Sequence, residues 1–193
     1  MTWIVAGLGN PGERYAGTRH NLGYRTVEEL ASRNSERFKK VRFVPVEVAE
    51  ITHGGERLLL GRSQRFYNES GEVYASLARK RDVPPERIVV VHDDIDLAFG
   101  ALRIKQGGSA GGNRGVESFV RALRTPDFYR VRLGVGRPPG RQDPVDFVLQ
   151  PFGKRQEADV RMVVDDAADA VLSLVREGLA AAQDRYNRST PRA

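Results

Sequence analysis

The chain has 193 residues, 40% of them hydrophobic, and no cysteine. That length suits a single domain, 1–193, with a full core, and the missing thiols exclude disulfides, thiolate nucleophiles and cysteine-bound metals and fit a reducing, cytoplasmic setting. The excess of 31 Lys+Arg over 25 Asp+Glu leans toward a polyanionic partner, no apolar run reaches the length of a membrane span, and no basic-then-apolar leader is expected.

The first predicted element is a short apolar run, Trp3–Leu8, read as a buried strand. A stretch dense in glycine and polar side chains follows, and the spacing of Leu22, Val27, Leu30 and Ala31 then marks a helix. Asn10, Tyr15, His20 and Asn21 thereby collect beyond the carboxyl end of a strand. Open α/β sheets bind their ligands there, so the active site is expected at this point. Residues 36–42 are charged and read as exposed. Val41–Ile51 and Arg57–Leu60 form a hairpin about Thr52–Glu56, with Pro45 placing the first arm at an edge or a bulge.

A helix is predicted over 67–81, with Val73, Leu77 and Ala78 inward, broken by Pro84-Pro85. Ile88–Val91 is an uninterrupted β-branched run, the pattern of a strand covered on both faces. It delivers His92, Asp93, Asp94 and Asp96 to a second strand end. A short strand over 101–105, a glycine-rich loop over 107–115 and a helix over 116–124 follow. Tyr129–Val135 alternates, so Arg130 and Arg132 point the same way. Residues 137–144 read as a loop, 154–176 and 179–186 as helices, and the tail 187–193 as frayed. Strands alternating with helices, plus a hairpin, give an α/β fold with a mixed sheet.

Gly7-Leu8-Gly9-Asn10-Pro11-Gly12 matches G-x-G-x-x-G, the dinucleotide fingerprint. That fingerprint needs a helix N-terminus on the pyrophosphate, whereas Pro11, Gly12 and Gly17 hold this chain in a loop until about His20. A dinucleotide site is therefore set aside. His20 is the candidate general base, since it lies among polar residues at a helix start. His53 reads as a solvated turn residue and His92 as a core or hydrogen-bonded one. Asp93, Asp94 and Asp96 either bind a divalent metal or include one carboxylate that orients the histidine. No second acidic cluster completes a cage, so the pair of base and carboxylate is favoured, with no metal. Asn68 either caps a helix or offers its amide to a substrate. The loop 107–115 either admits a ligand close to backbone or acts as a lid. Lys105, Arg130, Arg132, Arg137 and Arg141 form a candidate basic patch.

Taken together these residues resemble bacterial peptidyl-tRNA hydrolases. Gly-Leu-Gly-Asn-Pro-Gly-x-x-Tyr-x-x-Thr-Arg-His-Asn at 7–21 is similar to that family's opening signature, and Phe-Tyr-Asn-Glu-Ser-Gly at 66–71, His-Asp-Asp-Ile-Asp-Leu at 92–97 and Gly-Gly-Ser-Ala-Gly-Gly at 107–112 extend the likeness over nearly the whole chain. The resemblance implies a monomeric α/β fold, a twisted mixed sheet flanked by helices. It implies cleavage of the ester between a peptide and the 3′ ribose of tRNA, without metal or organic cofactor. His20 matches the base and Asp93 its supporting carboxylate. Asn10 matches a residue that separates blocked from unblocked aminoacyl groups. Tyr15, Phe66 and Asn68 match substrate contacts, and Lys105 and Arg132 match a basic pair on the tRNA 5′ phosphate. The expected partner is thus the acceptor stem and 3′ end of peptidyl-tRNA, the alternative being a non-catalytic RNA-binding relative. Two departures stand out. Tyr67 replaces a common methionine, altering the wall of the peptide site. Asn113-Arg114 replaces the usual His-Asn, so that either Asn113 supplies the substrate amide or Arg114 grips a phosphate or carbonyl.

Overall fold

The computed structural model describes residues 1–187. Its strands are β1 (Thr2–Gly7), β2 (Lys39–Lys40), β3 (Val46–His53), β4 (Glu56–Ser63), β5 (Ile88–Asp94), β6 (Leu102–Gln106) and β7 (Tyr129–Gly134). Its helices are α1 (Leu22–Arg33), α2 (Ser70–Arg81), α3 (Arg114–Leu123), α4 (Pro144–Val148), α5 (Glu157–Glu177) and α6 (Leu179–Tyr186). The strands make one mixed sheet in the order β2-β3-β4-β1-β5-β7-β6. The central strands β4, β1, β5 and β7 run parallel, and antiparallel neighbours flank them on both sides.

Strand alternation sends successive side chains to opposite faces, and here both faces are covered. Val5, Val89, Val91 and Val131 meet Leu22, Val27 and Leu30 of α1 and the inner stripe of α5. Ile4, Ala6, Ile88 and Val90 meet Tyr74 and Leu77 of α2 and Phe119 of α3 on the other side. Burying each such leucine or phenylalanine stabilises the fold by about 1.5–3 kcal/mol. The unbroken apolar runs predicted as two-sided strands are therefore the middle of the sheet. β3 is an inner strand, and the two-residue β2 forms that edge instead. Pro45 stands one residue before β3, where no ladder N–H is needed.

Four expectations shift in detail. The predicted helix 67–81 starts as a 3₁₀ turn, Tyr67–Glu69, before α2. The helix after the glycine loop begins at Arg114 because the Asn113 side chain caps it, Oδ1 accepting from the Val116 N–H at 3.0 Å. The loop 137–144 ends in α4, whose start is set by Asp143 as cap and Pro144 in the first turn. Asn187, placed in a frayed tail, is instead held: its Oδ1 accepts from the Ile104 N–H at 2.6 Å and its Nδ2 donates to the Ile104 carbonyl at 3.2 Å. Together with Gln183, which donates to the same carbonyl at 3.0 Å, it covers the outer edge of β6. Residues 188–193 lie outside the described residues.

Between β1 and α1 the chain makes two 3₁₀ turns, Glu13–Tyr15 and Arg19–Asn21. The second ends directly in α1, and Gly23 seats that helix on the sheet. A Cβ at Gly23 would lie 2.2 Å from the Val91 carbonyl oxygen and 2.4 Å from the Leu8 nitrogen. Gly23→Ala is accordingly expected to lower the stability by about 1–3 kcal/mol in urea denaturation, because the backbone of β5 and of the residue just after β1 must retreat. An unchanged midpoint would show that α1 has room to lift.

Candidate active site

The two polar clusters come together because β1 and β5 are parallel neighbours and both end at the same edge of the sheet. The turn Arg19–Asn21 hangs over that edge. It is tied down by Arg19, whose Nη1 donates to the carbonyls of Gln150 and Pro151 at 3.1 Å each. The guanidinium also stacks over Phe147 at 4.1 Å and Phe152 at 5.0 Å. Asn21 adds a second tether, exchanging hydrogen bonds with the Asn10 backbone at 2.9 and 3.0 Å. The ring of His20 is thereby fixed over the end of β5.

His20 Nδ1 stands 3.0 and 2.9 Å from the two oxygens of Asp93. Asp93 is only 2% exposed. Donation of the Nδ1 proton to the carboxylate fixes the tautomer and leaves Nε2 without a partner among the described residues. Tyr67 lies against the same pair. Its ring stacks on the imidazole, centroids 3.5 Å apart and planes 8° from parallel, and its hydroxyl donates to Asp93 Oδ1 at 2.8 Å.

Burial acts to raise the Asp93 carboxyl. The charge and hydrogen bonds of His20, the Tyr67 hydroxyl and His92 outweigh it and hold the group below its ordinary 3.8. Tyr67 is pushed well above the normal phenol range, first by burial and then by the Asp93 charge, so its hydroxyl keeps its proton and donates. His92 is buried, as its place at the end of an apolar strand suggested. Burial lowers it to about 4, so the ring is neutral at physiological pH, and Nδ1–H donates to the Asp93 carbonyl at 2.8 Å.

A cavity of about 400 Å³ opens in front of these groups. Asn10, Tyr15, His20, Phe66, Asn68, Asp93, Asn113 and Arg114, all anticipated from sequence, line it. Asn10 is nearly buried, and its Oδ1 accepts from the Tyr67 N–H at 2.8 Å. Asn68 caps neither the 3₁₀ turn nor α2, whose caps carry no side-chain bond, and its side chain is exposed on the cavity. Asn113 is turned inward: besides capping α3, its Nδ2 donates to the Tyr67 hydroxyl at 3.0 Å. Arg114 is exposed at the rim and has no partner among the described residues. The sequence reading missed the opposite wall, formed by Pro144, Val145, Val148 and Leu149 around α4. Asp143-Pro144 is the helix-start signal that would have found it.

The three carboxylates do not converge. Asp94 pairs with Arg132 at 2.8 Å and Asp96 with Arg137, while Asp93 serves His20. No group of three or more His, Asp or Glu side chains gathers to hold a metal ion among the described residues. Lys105 and Arg132 sit outside the cavity, on β6 and β7. The register sets Lys105 opposite Arg130 and Arg103 opposite Arg132, so four cations share one face. Lys105 is lowered from its usual value by burial and by the nearby Arg130 and Arg132. Arg130, 2% exposed, donates to the carbonyls of Gly107 and Ser109 and so anchors the glycine loop beside Lys105.

A histidine held on a buried carboxylate thus faces a cleft with side-chain donors at the carboxyl end of a mixed α/β sheet, an arrangement that suits hydrolytic chemistry. The chain belongs to the peptidyl-tRNA hydrolase family, whose model matches residues 4–193. It is 46% identical over 184 residues to the peptidyl-tRNA hydrolase of Nocardia farcinica, covering 95% of each chain. It is 45% identical over 188 residues to that of Arthrobacter sp., covering 96% of each. Its fold is similar to the crystal structure of peptidyl-tRNA hydrolase from Acinetobacter baumannii, with a TM-score of 0.88 at 30% identity, covering 99% of this chain and 97% of that one. The family and the fold expected from the motifs are thus the ones found.

The electrostatics carry a stability consequence. His92 binds its proton at about 4 in the folded chain against 6.5 unfolded, so the stability its neutral form contributes is complete above 6.5 and lost as pH falls toward about 4. Asp93, depressed below 3.8, loses its share as pH falls further. Thermal melts are expected to fall steadily across pH 6.5 to about 4, and His92→Asn to flatten that window while lowering the plateau. A variant with the same slope as the native chain would assign the loss to other groups.

Proposed function

We propose that the chain hydrolyses the ester joining a peptide, or an N-blocked aminoacyl group, to the 3′ ribose of tRNA. The observation that carries this reading is the contact of His20 Nδ1 with both Asp93 oxygens, 3.0 and 2.9 Å, with Nε2 left for a water in the cavity. An alkoxide leaves more readily than an amine, so one base with an electrostatic partner suffices. His20 takes a proton from water placed against Asn68. Hydroxide adds to the ester carbonyl, and Asp93 stabilises the imidazolium that forms. Arg114 and backbone amides of the glycine loop meet the developing oxyanion. Collapse of the tetrahedral intermediate expels the ribose 3′ oxygen, which takes the proton from His20.

Asn10, Tyr15 and Phe66 contact the blocked aminoacyl end. Asn113 lines the cavity, but its amide is already engaged by α3 and by Tyr67. Of the two readings for the replaced His-Asn pair, the exposed Arg114 is therefore the substrate contact. Lys105 and Arg132 take the 5′ phosphate, and phosphate contact favours tRNAs in general over one sequence. We place the reaction in the cytoplasm and read the protein as a monomer. Among the described residues no helix is long and apolar enough to cross a membrane.

The native chain is expected to release N-acetylated aminoacyl groups from tRNA and to spare the free-amine counterpart. His20→Ala is expected to lower kcat by at least about a hundredfold with tRNA affinity retained. Comparable cleavage by the variant would remove His20 as the base, and tRNA binding without cleavage by the native chain would favour the non-catalytic RNA-binding reading. Lys105→Ala is expected to weaken tRNA binding and to reduce the slope of log K against log salt by about one. An unaltered slope would take Lys105 out of the phosphate contact.

A further inference from the structure

We infer that Tyr67 is a positioning residue that sets how tightly Asp93 holds the proton on His20, its hydroxyl and its ring pulling in opposite directions. This rests on His20 acting as the base. The side chain is 3% exposed. The imidazole stacks on its ring, and Gly115 packs so close that a Cβ there would come within 2.4 Å of the ring. The backbone is pinned as well, by the bond from the Tyr67 N–H to Asn10 Oδ1. The phenol therefore has one orientation, with its hydroxyl on Asp93 Oδ1.

Two effects follow from that placement. A general base must be neutral before attack and cationic after it. A buried carboxylate touching Nδ1 with both oxygens stabilises the imidazolium as it forms, since little solvent screens the pair. The Tyr67 hydroxyl donates to that carboxylate and withdraws part of its charge, which favours the neutral imidazole. Asn113 Nδ2, donating to the same hydroxyl oxygen at 3.0 Å, polarises it and strengthens the effect. The stacked ring presents its π face to the imidazole and favours the cation. The two departures from the family pattern, Tyr67 and Asn113, are thus one device joined by a hydrogen bond. The other ionisable groups around His20 are His92, Asp94 and Asp96 at the end of β5, Tyr15 across the cavity and Arg114 at the start of α3. All of them remain when Tyr67 is changed.

The test is the pH dependence of kcat/KM for N-acetylated aminoacyl-tRNA, with the full chain. Tyr67→Phe removes the hydroxyl and keeps the stack, and is expected to move the acid limb up by about half a pH unit. Tyr67→Leu removes the ring as well, and its limb is expected to lie below that of Tyr67→Phe. Asn113→Ser keeps a cap on α3 but loses the amide, and is expected to move the limb upward by less. Thermal melts identify any variant that has not folded, and the others then decide. An acid limb that stays in place or falls in Tyr67→Phe overturns the inference even if the plateau drops, because a merely structural role lowers activity at every pH. If His20→Ala cleaves as fast as the native chain, the assignment of the base fails first. If His20→Ala is inactive and the Tyr67→Phe profile overlays the native one, only the role of Tyr67 is lost.

Discussion

A carboxylate with 2% of its surface exposed is costly unless donors surround it, and Asp93 is the centre to which the rest of this site answers. His20 takes both of its oxygens, Tyr67 takes one again, and the backbone on either side is held by strand pairing and by His92. Removing one partner of such a pair typically costs about 3–5 kcal/mol, so the chain tolerates little drift in any of them. The requirement that makes the group expensive also makes it useful, because its charge faces the imidazole with little water between.

The sheet supplies this arrangement through ordinary topology. β1 lies between β4 and β5, and the loops after β1 and β5 leave the same edge side by side. A histidine and an aspartate 73 positions apart in sequence thereby become neighbours. Arg19 then fastens the histidine's turn to α4 and the residues just after it, using three carbonyls and two aromatic faces. That same segment is the apolar wall of the cavity. The histidine and the wall opposite it are in this way set by one guanidinium.

Much of this was legible from residue order. The apolar runs over 3–8 and 88–91 could only be central strands, and the polar residues just past them had to meet at one sheet edge. Glycines that looked like a nucleotide fingerprint serve packing instead: a Cβ on Gly7 would strike the Gly23 carbonyl oxygen at 2.4 Å, and one on Gly9 the Tyr24 ring at 2.7 Å. What stayed hidden depended on direction in space. Asn113 carries the residue type expected of a substrate contact, but helix capping turns it inward, and only the start of α3 decides that. Tyr67 reads as a change of wall until its hydroxyl is seen to reach a carboxylate 26 positions away. α4 escaped because five residues are too few to show a helical period, although Asp143 and Pro144 mark its start.

The outer edge of β6 has a consequence for how the protein holds a polyanion. Ile104 is gripped by β7 on one side and by Gln183 and Asn187 on the other, and Lys105 follows it directly. The lysine thus rides on a rail bolted along both flanks, with one set of bolts more than 75 positions downstream. Slackening the last turn of α6 would let that rail flex, and the spacing between Lys105 and Arg132 would change without any alteration to either cation.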